Sequence, residues 1–149
     1  MKKKIQKVYH DHGFGFPVTL LNVPLIEARG EWTPAINQKE LQALVVNALV
    51  IKGSRLTGHE IRFIRLFSEM TLEKFAERFD VTHPAVLKWE KTKDQITGMG
   101  WTTEKDIRLF ALNALEPKPQ QFLIVYERLA EVAAAKTGPI KIDLEKMIS

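Results

Sequence analysis

Residues 71–90 constrain the fold most strongly, because their pattern predicts two short helices joined by a tight turn. Apolar residues recur through the first helix at the spacing of one helical face. They are Leu72, Phe75, Ala76 and Phe79. Thr82 suits the N-cap of the second helix, and Pro84 suits its first turn, where amides lack intrahelical partners. Val86 and Trp89 point back to the first helix. The outer face of the second helix carries His83, Ala85, Lys88 and Lys91.

Capping signals and apolar spacing predict further helices on both sides of this pair. The predicted N-caps are Asn37, Thr57 with Glu60 as its capping-box partner, Thr71, and either Thr102 or Thr103. The first of these helices ends near Gly53, and the second runs from residue 57 to about residue 69. In the second, Ile61 and Ile64 face inward. Arg62 and Arg65 face outward and form surface pairs with acids such as Glu69.

A last helix is predicted over residues 120–136, between a proline-rich break and Gly138. Its apolar stripe consists of Phe122, Val125, Tyr126, Leu129 and Ala133. Two interpretations of this stripe stay open: it forms a dimer interface, or it packs on the amino-terminal strands of its own chain. The following residues, 140–144, alternate like a short strand that pairs either with those strands or with a partner chain.

The amino-terminal region is predicted to be non-helical, since glycine and proline punctuate residues 9–37. Residues 18–23 and 25–32 read as a small hairpin or a pair of edge strands, which Phe16 and Trp32 pack onto the helices. Four lysines precede this region without an acid: Lys2, Lys3, Lys4 and Lys7. They form either a mobile basic arm that tracks phosphates or a minor groove, or a solubilising tail.

Composition excludes several function classes. The chain has no cysteine, which excludes disulfides, thiol catalysis and cysteine-based zinc sites. It has neither an apolar run that spans a bilayer nor a secretion signal, so a cytoplasmic location without membrane association is expected. His10, Asp11 and His12 have metal-ligand chemistry, but no third distant ligand accompanies them. We predict no catalytic residue, metal site or cofactor, and therefore no enzyme.

The helix pair resembles the helix-turn-helix of Cro/repressor-type (XRE) proteins. The small residue of the first helix matches Ala76, and the W-E-K string at residues 89–91 is typical of these repressors. The family's buried positions match Phe79, Val81, Val86 and Trp89. The turn departs from the family pattern, because Asp80 stands where a glycine is usual. Aspartate tolerates a left-handed backbone better than most residues, so the turn remains possible.

A wider resemblance covers roughly residues 22–115. It consists of N-V-P-L at residues 22–25, G-E-W at residues 30–32 and L-T-G-x-E-I-R-F-x-R at residues 56–65. These strings are similar to the DNA-binding part of MqsA-like and HigA-like antitoxin regulators. The cysteine-held zinc module of MqsA-like proteins has no counterpart here. The resemblance implies a homodimeric, operator-binding repressor with a cognate toxin as a possible partner.

In such proteins the second helix lies in the major groove, with its first residues at base edges. The expected base contacts are His83, Pro84, Ala85 and Lys88. Lys88 suits guanine O6 and N7, and Ala85 suits a thymine methyl group. The expected phosphate contacts are Thr71, Leu72, Lys74, Lys91 and Lys93. For the lysines, a solvated surface role is the alternative.

The predicted fold class is mainly α: a repressor-like helical bundle with a small amino-terminal β-hairpin and a carboxy-terminal helix. The expected domains are residues 1–53, a DNA-binding domain at residues 54–116, and a possible dimerisation element at residues 117–149. The predicted function is a dimeric, autoregulating DNA-binding repressor of toxin–antitoxin type. The alternative is an antitoxin that chiefly neutralises a partner toxin.

Overall fold

The computed structural model describes residues 2–132 and 138–145 and divides the chain into two compact units. The first unit contains the residues up to Val45 and those from Pro139 onward, and the second runs from Val46 to Gly138. The first unit holds strands β1 (Lys3–Asp11), β2 (Val18–Ala28), β3 (Glu31–Pro34) and β4 (Ile140–Asp143). Helix α1 (Gln38–Val50) begins in the first unit and ends in the second.

The second unit contains the remaining described helices. They are α2 (Gly58–Phe67), α3 (Leu72–Arg78), α4 (His83–Glu90), α5 (Trp101–Ala114), α6 (Pro119–Arg128) and a 3₁₀ turn (Leu129–Glu131). The predicted helix over residues 120–136 is therefore shorter in the described part of the chain, where α6 ends at Arg128. Residues 133–137, including Ala133 of the predicted stripe, lie outside the described residues.

Strand β2 is the centre of a four-stranded mixed sheet. It pairs with β1 along one edge, in antiparallel register. Along the other edge its first half pairs with β4 in parallel, and its second half pairs with β3 in antiparallel register. The predicted strand near residues 140–144 is confirmed as β4, and its partner is an amino-terminal strand of the same chain.

Asn22 marks a change of geometry within β2. Its φ of 54° lies in the left-handed region, which asparagine tolerates better than most residues. Before it, Val18 and Leu20 are buried; after it, Val23 and Leu25 are buried, so the buried positions change from even to odd numbers. The Asn22 side-chain amide also donates to the Asp143 carboxylate at 2.9 Å. Both halves of one long strand therefore contribute to a core.

The predicted fold class is wrong. About 47% of the residues are helical and 22% lie in strands, with six helices beside the four-stranded sheet in the described chain. The predicted mobile basic arm is also wrong, because β1 includes Lys3, Lys4 and Lys7 and pairs with β2. Trp32, predicted to pack on the helices, is 37% exposed and has the Lys4 ammonium 4.2 Å from its ring centroid.

Two of the buried ion-paired networks in the second unit involve the loop after α1. Arg108 is fully buried and donates to the Glu104 carboxylate at 2.8 Å and to backbone carbonyls of the loop after α1. Arg55 donates to the same carboxylate at 2.9 Å. Burial lowers the pKa of the Arg108 guanidinium from its ordinary value, and Glu104 opposes this shift. A guanidinium stays charged in proteins, so the buried cation requires its acceptors.

The second network begins helix α2. The predicted capping box is confirmed: the Thr57 hydroxyl accepts from the Glu60 amide at 3.3 Å, and the Glu60 carboxylate accepts from the Thr57 amide at 2.9 Å. The Lys52 ammonium donates to that carboxylate at 2.8 Å. The predicted threonine cap of α5 is wrong, because the helix begins at Trp101, before both Thr102 and Thr103.

Candidate nucleic-acid interface

Helices α3 and α4 confirm the predicted pair of short helices, and the turn between them has the expected left-handed residue. Asp80 has a φ of 55°, a conformation in which aspartate is better tolerated than most residues. The amide of Val81 then donates to the Ala76 carbonyl at 2.9 Å. This bond closes the turn against the end of α3, so the direction in which α4 starts is fixed by backbone geometry.

Both helices of the pair have the predicted threonine caps. The Thr82 hydroxyl accepts from the Ala85 amide at 3.2 Å, and the Thr71 hydroxyl accepts from the Lys74 amide at 3.1 Å. Pro84 lies in the first turn of α4, where no intrahelical amide bond is lost. Such caps contribute typically about 1 kcal/mol each, which matters for helices of only seven and eight residues.

An aromatic core holds the two helices together. The fully or nearly buried residues of the pair are Phe75, Ala76, Phe79, Val86 and Trp89. The Phe79 ring lies edge-on to the rings of Phe75 and of Phe110 in α5, with ring centroids 4.7 and 5.3 Å apart. Aromatic pairs prefer this geometry. Val81, matched to a buried family position, is only partly buried. The inner face of α4 is thus fully used in packing.

Arg65 and Glu90 join α2 to the end of α4. The guanidinium donates to both carboxylate oxygens, at 2.7 and 2.9 Å, and also to the Met70 carbonyl at 3.0 Å. Both side chains are about nine-tenths buried. The prediction that Arg65 faces outward and pairs with an acid such as Glu69 is therefore wrong. Arg62 is exposed as predicted, but its nearest carboxylate is again Glu90, at 3.8 Å.

Gly58 allows α2 to approach the end of α4 closely. A β-carbon at this position would meet the Trp89 carbonyl oxygen, the Thr92 hydroxyl at 2.6 Å and the Lys93 amide nitrogen at 2.8 Å. Two of these three atoms belong to the backbone and cannot move aside easily. The glycine of the T-G-x-E string therefore serves packing as well as the start of a helix.

The outer face of α4 is exposed and carries the predicted base-contacting residues. His83 and Pro84 are exposed in its first turn, Ala85 is partly buried beside them, and Lys88 is exposed one turn later. Leu87 is 38% exposed between them and was absent from the predicted set. Its spacing from His83 (i+4) and Pro84 (i+3) puts it on the same helical face, and this spacing was the available signal.

The predicted phosphate contacts lie at the two ends of the helix pair. Thr71 and Lys74 are exposed in the first turn of α3, with Leu72 partly buried beside them. Lys91 and Lys93 are exposed just after α4. Within the described chain, none of the pair's exposed lysines forms an ion pair. The exposed acids of α3 and the turn are Glu73, Glu77 and Asp80. The positive charge is thus concentrated on α4 and the residues after it.

Comparisons with protein-family models, with curated proteins and with solved structures found no match for this chain. Between residues 2 and 132 and between residues 138 and 145, no cluster of three or more metal-ligating side chains occurs. No helix in these ranges is long and apolar enough to cross a bilayer.

Proposed function

We propose that this chain is a sequence-specific DNA-binding transcriptional regulator that inserts α4 into the major groove. The observation that carries the proposal is the contrast between the two faces of α4. Its inner face is locked by Val86, Trp89 and the Arg65–Glu90 pair, whereas its outer face is exposed and cationic. A rigid short helix with a free basic face suits base-edge recognition, because a precise approach requires a fixed backbone.

The proposed contacts divide into those that read sequence and those that set register. Lys88 would donate to guanine O6 and N7, His83 would donate or accept at the base edge that it reaches, and Ala85 would touch a thymine methyl group. Lys91 and Lys93, together with the start of α3, would hold phosphates. Phosphate contacts position the protein on the duplex but carry no sequence information.

A homodimer is part of the proposal, because a single pair of helices α3 and α4 makes only a limited interface with DNA. The candidate dimer surface is α6, whose exposed large apolar side chains are Phe122, Leu123, Ile124 and Tyr126. The Phe122 and Tyr126 rings stack at 6.2 Å on one side of this helix. A second copy would cover these side chains. In a dimer, the two copies of α4 would read half-sites about one helical turn of DNA, ~34–36 Å, apart.

Binding to the DNA upstream of its own gene tests the proposal. Fluorescence anisotropy would compare wild type, Lys88→Ala, His83→Ala and the matched control Lys39→Ala, which removes an exposed lysine on α1. The expected result is salt-sensitive binding that weakens by about 1–3 kcal/mol in the α4 variants and is unchanged in the control. Equal affinity for random duplex would contradict sequence-specific recognition of this DNA, and equal weakening by Lys39→Ala would contradict the assignment to α4.

The resemblance to antitoxin regulators supports a second candidate function, in which the chain chiefly neutralises a partner toxin. The apolar face of α6 favours it, since this face suits a protein surface rather than a phosphate backbone. A monomeric chain that co-purifies with the product of a neighbouring gene, whatever the salt concentration, would favour the second function. A dimer that binds DNA would favour the first.

A further inference from the structure

Strand β1 offers an open sheet edge. It pairs with β2 along one side, and no other described strand lies along its second side. In an edge strand, alternate residues direct their backbone N–H and C=O groups away from the neighbouring strand. These groups form a template for one additional strand.

The composition of β1 is unusual for an edge that only needs protection. Residues 2–8 are all exposed, and lysines occupy four of these seven positions without an acid: Lys2, Lys3, Lys4 and Lys7. Lysines alone would protect an edge from aggregation. However, Ile5 is 69% exposed and Val8 is 47% exposed, so the strand also presents apolar surface between its cations. The combination suits a ligand that carries both carboxylates and apolar side chains.

We propose that β1 accepts an extended, acidic segment of a partner protein as an added strand. The main chain of that segment would pair with the free backbone groups, as in strand addition generally. Its Asp or Glu side chains would lie against the lysines, and its apolar side chains would cover Ile5 and Val8. Strand β1 belongs to the first unit and α4 to the second, so the proposal goes beyond the proposed DNA contacts of α4.

Charge argues against a second copy as the occupant. If two copies of β1 paired in antiparallel register centred on Ile5, Lys3 of each chain would lie directly opposite Lys7 of the other, which gives two lysine–lysine pairs. Like charges in directly opposite cross-strand positions are destabilising. The chain's formal net charge of +4 equals the charge of the four lysines before Val8, so no distant excess of acid offsets this repulsion.

Exposed apolar side chains argue against a phosphate backbone as the occupant. Nucleic acid phosphates would neutralise the lysines but would leave Ile5 and Val8 in water. The Lys4 ammonium already lies over the Trp32 ring, a contact that holds one cation in place beside the strand. Lys3 and Lys7 lie on the same side of the pleat as Ile5 and have no such contact with any described aromatic ring, so they are the residues to change.

The test uses the full chain and the eight-residue peptide Glu-Glu-Val-Val-Glu-Glu-Val-Val as the probe, because Glu and Val then alternate along each face of the added strand, as lysine and isoleucine do at Lys3, Ile5 and Lys7. Fluorescence anisotropy would measure its affinity for wild type, for Lys3→Glu/Lys7→Glu and for the matched control Lys39→Glu/Lys141→Glu, which reverses two exposed charges outside β1. A second peptide of equal charge, with a central proline, cannot continue a strand ladder. Amide hydrogen exchange would report protection of β1, and circular dichroism would confirm that each variant is folded.

Binding of the Glu–Val peptide with protection of β1 amides, a loss of tenfold or more in Lys3→Glu/Lys7→Glu, and no loss in the control would support the proposal. Equal binding of the proline peptide would overturn it in favour of a charge-only surface. Random duplex DNA that binds with the same dependence on Lys3 and Lys7, and competes with the peptide, would assign β1 to nucleic acid instead. The absence of peptide binding at millimolar concentration would also overturn the proposal.

Discussion

At the scale of single residues, Arg65 and Glu90 illustrate how position along a helix can mislead. Arg65 follows Ile64, and a helical wheel places it at the border of the apolar face of α2. Only the approach of α4, 25 residues later, turns that border into an interior where the guanidinium needs a carboxylate. The two residues belong to two strings that suggested the family resemblance, so they connect those strings physically.

Removing Glu90 should destabilise the second unit strongly. Glu90→Ala leaves the Arg65 cation about nine-tenths buried without its bidentate partner, which typically costs 3–5 kcal/mol, so we expect a loss of about 3 kcal/mol. Urea denaturation would measure this loss. Glu73→Ala, which removes an exposed carboxylate from α3, should change the free energy of unfolding by less than about 0.5 kcal/mol. Similar effects of the two substitutions would contradict a stabilising role of the Arg65–Glu90 ion pair.

Leu87 should read thymine methyl groups if α4 lies in the major groove. Leu87 is exposed to water in the free protein, which is unfavourable for an apolar side chain. Contact with a thymine methyl group would bury it and favour binding by about 0.8 kcal/mol per buried carbon, roughly fourfold in affinity. We would select a preferred duplex and replace each thymine by uracil in turn. One replacement should weaken wild-type binding about fourfold and leave Leu87→Ala unaffected. Equal sensitivity of both proteins would exclude the contact.

Local signals made much of the candidate site predictable. The caps at Thr71 and Thr82 involve atoms within three residues, and the left-handed turn at Asp80 depends on one residue. The ionic contacts that fix the site were missed, because their partners come from helices far apart in sequence. Leu87 was missed for another reason: the predicted outer face of α4 comprised His83, Ala85, Lys88 and Lys91, although Leu87 lies on the same face, four residues after His83.

At the scale of elements, α2 and α4 depend on Gly58. Gly58→Ala should destabilise the second unit by about 2 kcal/mol, because the new methyl group would meet backbone atoms at the end of α4. Gly53→Ala is the matched control, since nothing lies within 4 Å of its β-carbon position. Thermal and urea denaturation would compare the two variants. If Gly58→Ala were as stable as Gly53→Ala, the close approach of the two helices would be refuted.

Helix α6 should determine the oligomeric state. Leu123 is highly exposed on this helix, so Leu123→Glu should leave the monomer folded while it disrupts a dimer that buries the apolar face. Sedimentation velocity would compare it with Gln120→Glu, which adds the same charge at an exposed position of α6. We expect a dimer for wild type and Gln120→Glu and a monomer for Leu123→Glu. Identical sedimentation of all three would remove α6 as the interface.

The elements differ in how well their sequences predicted them. Helices with caps and an apolar stripe were predictable, because both signals lie within one turn or a few turns. Strand β1 was not, since it is exposed on both sides and therefore lacks the alternation of a half-buried strand. Pro24 and Asn22 made the long β2 look like two short pieces, whereas the strand continues through both.

At the scale of the whole molecule, the fold class was mispredicted because the sheet depends on a pairing between distant parts of the chain. Leu20 of β2 lies opposite Ile142 of β4. No local pattern reports such a pairing, and a short alternating tail is equally compatible with a strand in another chain. The helical second unit, in contrast, consists mainly of neighbours in sequence, so its helices were largely predictable.

The two units should respond separately to a core substitution. Ile142 is buried in β4, so Ile142→Asp should destabilise the first unit by roughly 3 kcal/mol or more through lost packing and a buried charge. Native-state hydrogen exchange should show faster exchange in β1, β2 and β4, with α2–α5 little changed. Lys141→Asp, at an exposed position of the same strand, is the control. Equal acceleration in both units would indicate one cooperative structure.

The parallel pairing of β2 with β4 also has a consequence for synthesis of the protein. The two strands are separated by about 120 residues, and a ribosome adds roughly 5–20 residues per second. For about 6–24 s, therefore, β2 is translated but lacks β4, while the whole helical unit is made in between. The helical unit can therefore fold first. Until β4 is translated, the edge of β2 that β4 will occupy has unpaired backbone groups, and we expect chaperones to protect this stretch of the nascent chain.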